Sequence, residues 1–343
     1  MAMVTACSRR TVLTAVLLTA LAGKSAGAQT PAGTPDSRPA SGWTFTDASG
    51  VPLTLDARPL RIVAEVSVAA GLWDYGVVPV GVFGELVNAA GEPVPSAGAI
   101  DVDAVVDTWT GTWGEPDLEA IVALQPDVII GPTYEPDRPG WLDGLSDDAA
   151  AVLMDVAPFL VIDISGPLPD QFAQLEALAG ALGADLETPA VAAAHDAFAQ
   201  AVEAFQSVTA AKPDLTVLFL SATADQAYIA QQGYWNDIAY YASLGLNPAG
   251  PDGTEGWEEV SWERIGEFPS DVILVDSRND AFGFGIEDLR ALPTVKTLPA
   301  VQADQVGTWY VEFVRSYAGF VPALQHMTEV LAAAEVVTGS ATS

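Results

Sequence analysis

Residues 117–131 read DLEAIVALQPDVIIG, and residues 261–275 read SWERIGEFPSDVILV. Aligned without a gap, Glu119 meets Glu263, Ile121 meets Ile265, Leu124 meets Phe268, Asp127 meets Asp271, Val128 meets Val272 and Ile129 meets Ile273. Each copy reads as a short helix that opens on a polar residue (Asp117, Ser261) and carries an acid in its first turn. Each then turns through a Pro/Asp corner into a strand. The strand is a continuous apolar run, the pattern of a strand covered on both faces. A unit that recurs once, about half a chain apart, predicts two related α/β lobes. Chance is the competing account, because helix–Pro–Asp–strand is common in α/β proteins.

Working outward, residues 43–55 alternate around Asp47-Ala48-Ser49-Gly50 and predict a β-hairpin. Arg61 to Ala64 reads as a buried strand, with Ser67 placed to N-cap a helix that runs to Tyr75 and stops at Gly76. Val77 to Phe83 reads as the next strand, and residues 84–116 as a long irregular stretch holding Trp109 and Trp113. Such long loops often carry function. Residues 139–151 look helical, and Phe159 to Ile164 forms another apolar strand. From Pro169, apolar residues recur at three- and four-residue spacing (Phe172, Leu175, Leu178, Leu182), so a helix is expected to join the lobes and stiffen the hinge. A second amphipathic stretch runs from Pro189 to Val208. In the second half, Leu215 to Leu220 reads as a strand, Ser221 to Gln232 as a polar loop or hairpin, and Tyr234 to Gly245 as a helix. Gln305 to Val311 gives a last strand and residues 313–338 a closing helix. The expected organisation is a segment 1–28, a tether 29–42, an N-terminal lobe 43–166, a joining helix 167–188, a C-terminal lobe 189–338 and a tail 339–343.

The first 28 residues read as an export signal. Ser8-Arg9-Arg10-Thr11-Val12-Leu13 is a twin-arginine pattern, an apolar run follows to Ala22, and Ser25-Ala26-Gly27-Ala28 suits cleavage. That run is too short to span a bilayer, which takes about 20 apolar residues. Cys7, the single cysteine, lies inside the signal, so no disulfide, thiol chemistry or lipid anchor is expected of the exported chain. The net charge is −32, and loss of Arg9, Arg10 and Lys24 with the signal leaves ten basic against 45 acidic residues, or −35. Nucleic acid is excluded as a partner for such a surface. At 343 residues with half of them hydrophobic, the chain holds about two cores.

The hairpin, the strand Arg61–Ala64, the Gly-stopped helix, the segment Pro116–Gly131 and its counterpart Ser261–Asp276 together resemble the helical-backbone (class III) substrate-binding proteins of ABC importers. That group binds ferric siderophores, cobalamin and haem. The resemblance covers nearly all of residues 43–338. It implies two similar α/β lobes joined by a long backbone helix, with the ligand in the cleft between them. It also implies that a surface glutamate on each lobe, Glu119 and Glu263 here, meets arginines of an ABC permease dimer. The helix dipole alone also favours an acid in the first turn, by about 0.3–1 kcal/mol.

In open α/β sheets ligands sit at the carboxyl ends of the strands. Those ends and the loops beside them nominate Glu65, Trp109, Trp113, Tyr134, Glu135, Arg138, Tyr234, Trp235, Arg278, Trp309 and Tyr310 as ligand-binding residues, with Ser221, Asp276 and Arg315 close by. Rigid aromatic walls with N–H groups suit a ligand pocket, although packing in its own helix accounts equally well for Trp235. His195 and His326 fall at the apolar margins of helices, so no bare-metal site is expected. No G-x-S-x-G or Walker motif occurs, and no cofactor or enzyme activity is expected. Few arginines and nearby Glu65 and Glu135 favour a neutral or cationic iron(III)-siderophore complex, such as a ferric hydroxamate, bound by a monomer. Haem, with Tyr134, Tyr234 or Tyr310 as axial ligand, and cobalamin are the rival ligands. An exported two-lobed enzyme using paired acids such as Glu65 and Glu135 is the remote alternative.

Overall fold

The computed structural model describes residues 42–138 and 140–339. The signal segment, the tether apart from Gly42, and the tail apart from Gly339 lie outside the described residues. Strands β1 (Trp43–Thr46) and β2 (Pro52–Leu55) pair antiparallel as the alternation predicts, with Trp43 opposite Leu55. Asp47 fastens their turn, its Oδ1 accepting from the Ser49 N–H at 2.9 Å and Oγ–H at 2.6 Å. The buried strand β3 (Ile62–Glu65) enters helix α1 (Val66–Asp74) with no loop between them. The N-cap therefore falls on Glu65, the last strand residue, rather than on Ser67 as the sequence predicted.

Strands β4 (Gly81–Phe83) and β5 (Val106–Asp107), helix α2 (Leu118–Ala123), strand β6 (Val128–Thr133), helix α3 (Asp147–Met154) and strand β7 (Phe159–Asp163) complete the first lobe. Its five strands are parallel in the order β5-β4-β3-β6-β7. The helix expected over 139–151 begins only at Asp147. Gly140 and Gly144 hold φ of 74° and 87°, which no right-handed helix contains, and the Ser146 hydroxyl caps α3 by accepting from the Ala149 N–H.

Helices α4 (Leu168–Ala181) and α5 (Pro189–Ala211) lead into β8 (Thr216–Ala222) and β9 (Gln226–Ala230). Helix α6 (Asn236–Ser243), the short strand β10 (Asn247–Pro248), β11 (Trp257–Ser261) and β12 (Val272–Asp276) follow. Helices α7 (Ile286–Ala291) and α8 (Pro299–Gln302), strand β13 (Val306–Trp309) and helix α9 (Tyr317–Ala333) close the chain. The second sheet runs β11-β9-β8-β12-β13, with β10 also on β8. Here β8, β10, β12 and β13 are parallel, while β9 and β11 fold back as an antiparallel edge. α9 is shorter than the expected 313–338, because Ser316 caps its start and residues 311–315 stay outside it.

The repeat holds where strands are concerned. Val128 pairs with Ile62 and Val272 pairs with Val217, so each repeat strand lies beside the first long strand of its lobe. The matched aspartates do the same job. Asp127 Oδ2 accepts from the Leu60 and Arg61 N–H groups at 2.8 and 2.9 Å, and Asp271 Oδ2 accepts from the Thr216 N–H and hydroxyl at 2.8 Å. Each pins the entry of the neighbouring strand. The helical halves differ. α2 is a true helix capped by Asp117, but its counterpart is a single 3-10 turn at Ile265–Glu267. Gly266 weakens that helix, and Pro269 forces Phe268 out of the helical region, to φ −113° and ψ 70°.

α4 belongs to both cores. Leu168 and Phe172 pack with Phe205, Phe219 and Phe320 of the second lobe, while Leu175, Leu178, Ala179 and Leu182 pack with Ile62, Val68 and Leu72 of the first. Val314 also reaches back into the first core. The chain therefore crosses between lobes twice, at α4 and at residues 310–316. No helix among the described residues is long and apolar enough to cross a membrane.

Candidate functional site

A cavity of about 570 Å³ opens between the lobes at the carboxyl ends of the two sheets. The first lobe contributes Glu65 from the end of β3, Tyr134 from just beyond β6, Asp143 from the turn before α3, and Trp113 from the long loop. The second contributes Tyr234, Trp235 and Asp237 around the start of α6, Trp257 from β11, and Arg278 and Phe282 from the turn after β12. Glu312 and Arg315, on the crossing segment, complete the lining.

Aromatic rings span the gap. Tyr134 and Tyr234, from opposite lobes, stack with centroids 5.8 Å apart and planes 19° apart. Trp235 meets Trp257 and Trp309 edge-on at 4.8 and 4.9 Å, and its Nε1–H donates to the Gly256 carbonyl at 2.8 Å. It is thus held by β11, β13 and the Gly256 carbonyl rather than by its own helix, and it also lines the cavity. Burial pushes the Tyr134 hydroxyl up to about 12. Trp113 and Phe282 stand at the cavity edge from opposite lobes, 61% and 67% exposed.

The charges are mostly acidic. Glu65 is buried at 5% exposure, and burial pushes its carboxyl up to about 7 against the pull of its hydrogen bonds to Ser67 and Val68. The backbone passes against it at Gly84 and Gly144, which hold left-handed conformations that favour glycine. Their φ values are 89° and 87°, and a Cβ would stand 3.4 Å from Glu65 Oε1 at Gly84 and 3.5 Å from its Cγ at Gly144. Burial also pushes Asp237 up to about 6, although its Oδ2 accepts from Trp309 Nε1–H at 2.6 Å. Asp143 and Glu312 are raised by burial too. Two cations face these acids. Arg278 is gripped by Asp276, which accepts from Nε at 3.0 Å and Nη2 at 2.6 Å. Burial works against its charge and the Asp276 carboxylate outweighs that, raising its pKa. Arg315 donates to Gln171 Oε1 at 2.8 Å.

Of the residues nominated from sequence, Glu65, Trp113, Tyr134, Tyr234, Trp235 and Arg278 line this cavity. Five do not. Trp309 is fully buried in the second core, because the inward side of β13 faces Phe219 rather than the cleft. Tyr310 points the other way along the same strand end and stacks on His326 at 4.2 Å. Glu135 and Arg138 lie on an exposed turn, where Arg138 pairs with Asp147 at 2.8 Å. Trp109 is half-buried away from the cavity. Sequence reasoning missed Asp143, Asp237, Phe282 and Glu312. The one available signal was Asp143-Gly144, a turn dipeptide hidden inside an expected helix. Glu119 and Glu263 are both exposed, on α2 and beside the 3-10 turn. No group of three or more His, Cys, Asp or Glu side chains among the described residues is arranged to hold a metal ion.

This two-lobed architecture has solved counterparts. The ferric-siderophore receptor protein DesE from Streptomyces coelicolor is 33% identical, with a TM-score of 0.78, over 86% of this chain and 99% of that one. The siderophore periplasmic binding protein of the fuscachelin gene cluster of Thermobifida fusca (24% identity, 80% and 97% covered, TM-score 0.55) shares the fold. So does the siderophore binding protein FhuD from Vibrio cholerae, solved with Fe3+–Desferal (20% identity, 80% and 98% covered, TM-score 0.55). No curated protein sequence matches the chain. The periplasmic binding protein family model matches residues 68–310, which takes in the second sheet, the first sheet apart from β3, and the helices between them, and the chain belongs to that family.

Proposed function

We propose that this chain is the exported substrate-binding component of an ABC importer, which captures a ferric siderophore between its lobes and delivers it to a permease. The observation that carries this reading is the cavity itself: aromatic walls from both lobes around a volume suited to a small-molecule chelate. Similarity to the Streptomyces ferric-siderophore receptor over most of both chains supports it. The lining sets six carboxylates (Glu65, Glu85, Asp143, Asp237, Glu255 and Glu312) against two arginines, which favours a neutral or cationic complex, such as a ferric hydroxamate, over an anionic catecholate. Binding needs no resident cofactor and no catalysis, and the protein works as a monomer. Glu119 and Glu263 dock the two lobes on the permease, and the twin-arginine segment directs export. The haem reading has Tyr134 and Tyr234 of the lining to offer as axial ligand, while Tyr310 lies outside it and stacks on His326.

Tryptophan fluorescence tests the proposal, since Trp113, Trp235 and Trp257 line the cavity. Saturable quenching by a ferric hydroxamate at micromolar concentration or below, with no response to the iron-free form, is the expected result. A response to haem or cobalamin and none to any ferric chelate would overturn it.

A further inference from the structure

Glu65 is a costly residue to keep where it is. A carboxylate buried at a strand end loses solvation, and a serine or asparagine would cap α1 as well. Its Oε2 accepts all the hydrogen bonds that capping requires: the Ser67 N–H at 2.8 Å, the Ser67 hydroxyl at 2.6 Å and the Val68 N–H at 3.3 Å. Its Oε1 accepts none among the described residues and keeps contact with the solvent of the cavity, although the residue as a whole is only 5% exposed. Asp143 approaches from the turn before α3, close enough to push Glu65 further up by like-charge repulsion. Asp143 accepts from the Gly144 N–H and from no side chain among the described residues, and it lines the same cavity. Two carboxylates thus share one wall of the first lobe with no cation between them.

The charged groups around this pair come from every neighbouring element. Arg315 on the crossing segment pulls Asp143 down, but its Nη1 is spent on Gln171. Arg278 lies across the cleft, held by Asp276 and facing Glu312. Asp237 and Tyr234, on the second lobe, add negative or neutral groups. An anion would meet repulsion at this wall, while a neutral donor can pair with Oε1 but leaves the charge of the two acids uncompensated. A primary ammonium fits, because it brings three donors and one positive charge to two acids with no cation between them, where Glu65 Oε1 has no donor among the described residues.

We infer that Glu65 and Asp143 form a subsite for a cationic amine carried by the ligand, so that the preferred cargo is a ferric chelate bearing a free ammonium. This rests on the ferric-chelate reading of the cleft. The pair does not touch iron; it reads the periphery of the chelate and sets selectivity among complexes with the same iron-binding groups. The ammonium favours the ionised acids, so acidification opposes its binding and leaves a neutral chelate unaffected.

The test compares a linear ferric trihydroxamate ending in a primary ammonium with the same molecule N-acetylated, which changes charge by one and leaves the iron cage intact. Dissociation constants are measured for the full exported chain and for its Glu65→Gln and Asp143→Asn variants at pH 5.5 and pH 8. At pH 8 the wild type should bind the ammonium form at least about tenfold more tightly, about 1.4 kcal/mol. Each variant should bring that ratio to about threefold or less while the affinity for the acetylated form stays within about twofold. The wild-type ratio should also narrow at pH 5.5. Equal affinity of the wild type for both chelates, or a ratio unchanged in both variants, overturns the subsite and leaves the chelate reading standing. A variant that loses both ligands alike shows a structural role for that residue, which also overturns it. If neither chelate binds the wild type, the underlying reading falls and takes the subsite with it. Asp143→Asn caps no helix, so it keeps the test decisive where Glu65→Gln alters α1.

Discussion

Replacing Glu65 by Gln should make the protein more stable at alkaline pH and leave it unchanged in acid. Burial raises the folded-state carboxyl from 4.5 to about 7, so the native state holds this proton more tightly than the unfolded chain does. The associated stability is complete below about 4.5 and is lost as pH rises through about 7. Gln mimics the protonated acid, keeps an oxygen that accepts from Ser67 and Val68, and does not titrate. At 1.36 kcal/mol per pH unit, the variant should gain about 3 kcal/mol at pH 8, about 2 at pH 6, under about 1 at pH 5 and nothing at pH 4. A chain with about 300 ordered residues converts the pH 8 gain into a Tm rise of about 3–5 °C. Equilibrium urea unfolding of both proteins at four pH values measures the difference, and the titrating groups other than the coupled neighbour Asp143 cancel between them. A difference that is flat from pH 4 to pH 8, or a variant less stable at pH 8, refutes the reasoning. The latter would mean that the cap outweighs the burial. The expected outcome is a protein made firmer at some loss of ligand selectivity, the usual relation at sites kept for function.

Three further outcomes follow from the placement of other side chains. Glu119→Ala combined with Glu263→Ala should leave ligand affinity unchanged and abolish uptake, because both acids are exposed and distant from the cavity lining; normal uptake in cells ends the docking proposal. Trp113→Ala and Phe282→Ala should each weaken chelate binding by about 1–2 kcal/mol through faster dissociation, with Tm unchanged, since both rings are exposed at the cavity edge. Stopped-flow dissociation rates equal to wild type remove the residue from the site. Trp309→Ala should instead cost about 3–5 kcal/mol of stability, as a fully buried indole against Phe219, Trp235 and Asp237, and urea unfolding measures it.

Strands and their repeat were readable because their signals are local and redundant. A buried parallel strand needs a run of apolar residues, and Asp127 and Asp271 recur because each pins the adjacent strand with one carboxylate. The second-lobe helix was misread because its pattern was borrowed from the first copy, while Gly266 and Pro269 act on the backbone regardless of pattern. The site was half legible. Strand ends point to the cleft, which recovered Glu65, Tyr134 and Arg278. Which way the last residue of a strand faces depends on pairing in the folded sheet, and that separates buried Trp309 from exposed Tyr310. Asp143 and Phe282 sit on turns whose path is set by positive-φ Gly144 and Gly283, so nothing periodic marks them.

The two crossings between lobes bear on how the site selects its ligand. Gln171, fully buried on α4, donates to the Ile164 and Gly166 carbonyls and accepts from Arg315, so helix and crossing segment are tied by polar bonds that have no water to replace them. Ser316 donates to Asp74 of the first lobe, and Asn236 of the second donates to Ile164. Glu176 on α4 takes the Tyr75 hydroxyl of the first lobe at 3.2 Å and His195 of α5 at 2.8 Å. Wide opening would break these bonds and hand their partners to water, at a net cost of about 0.5–1.5 kcal/mol each. Opening is opposed by these bonds and by the packing of α4 into both cores. Selectivity then falls to the side chains already facing the gap. In a rim of aromatics that would accept many chelates, the charged groups of the lining, Glu65 and Asp143 among them, are the ones able to distinguish one charge from another.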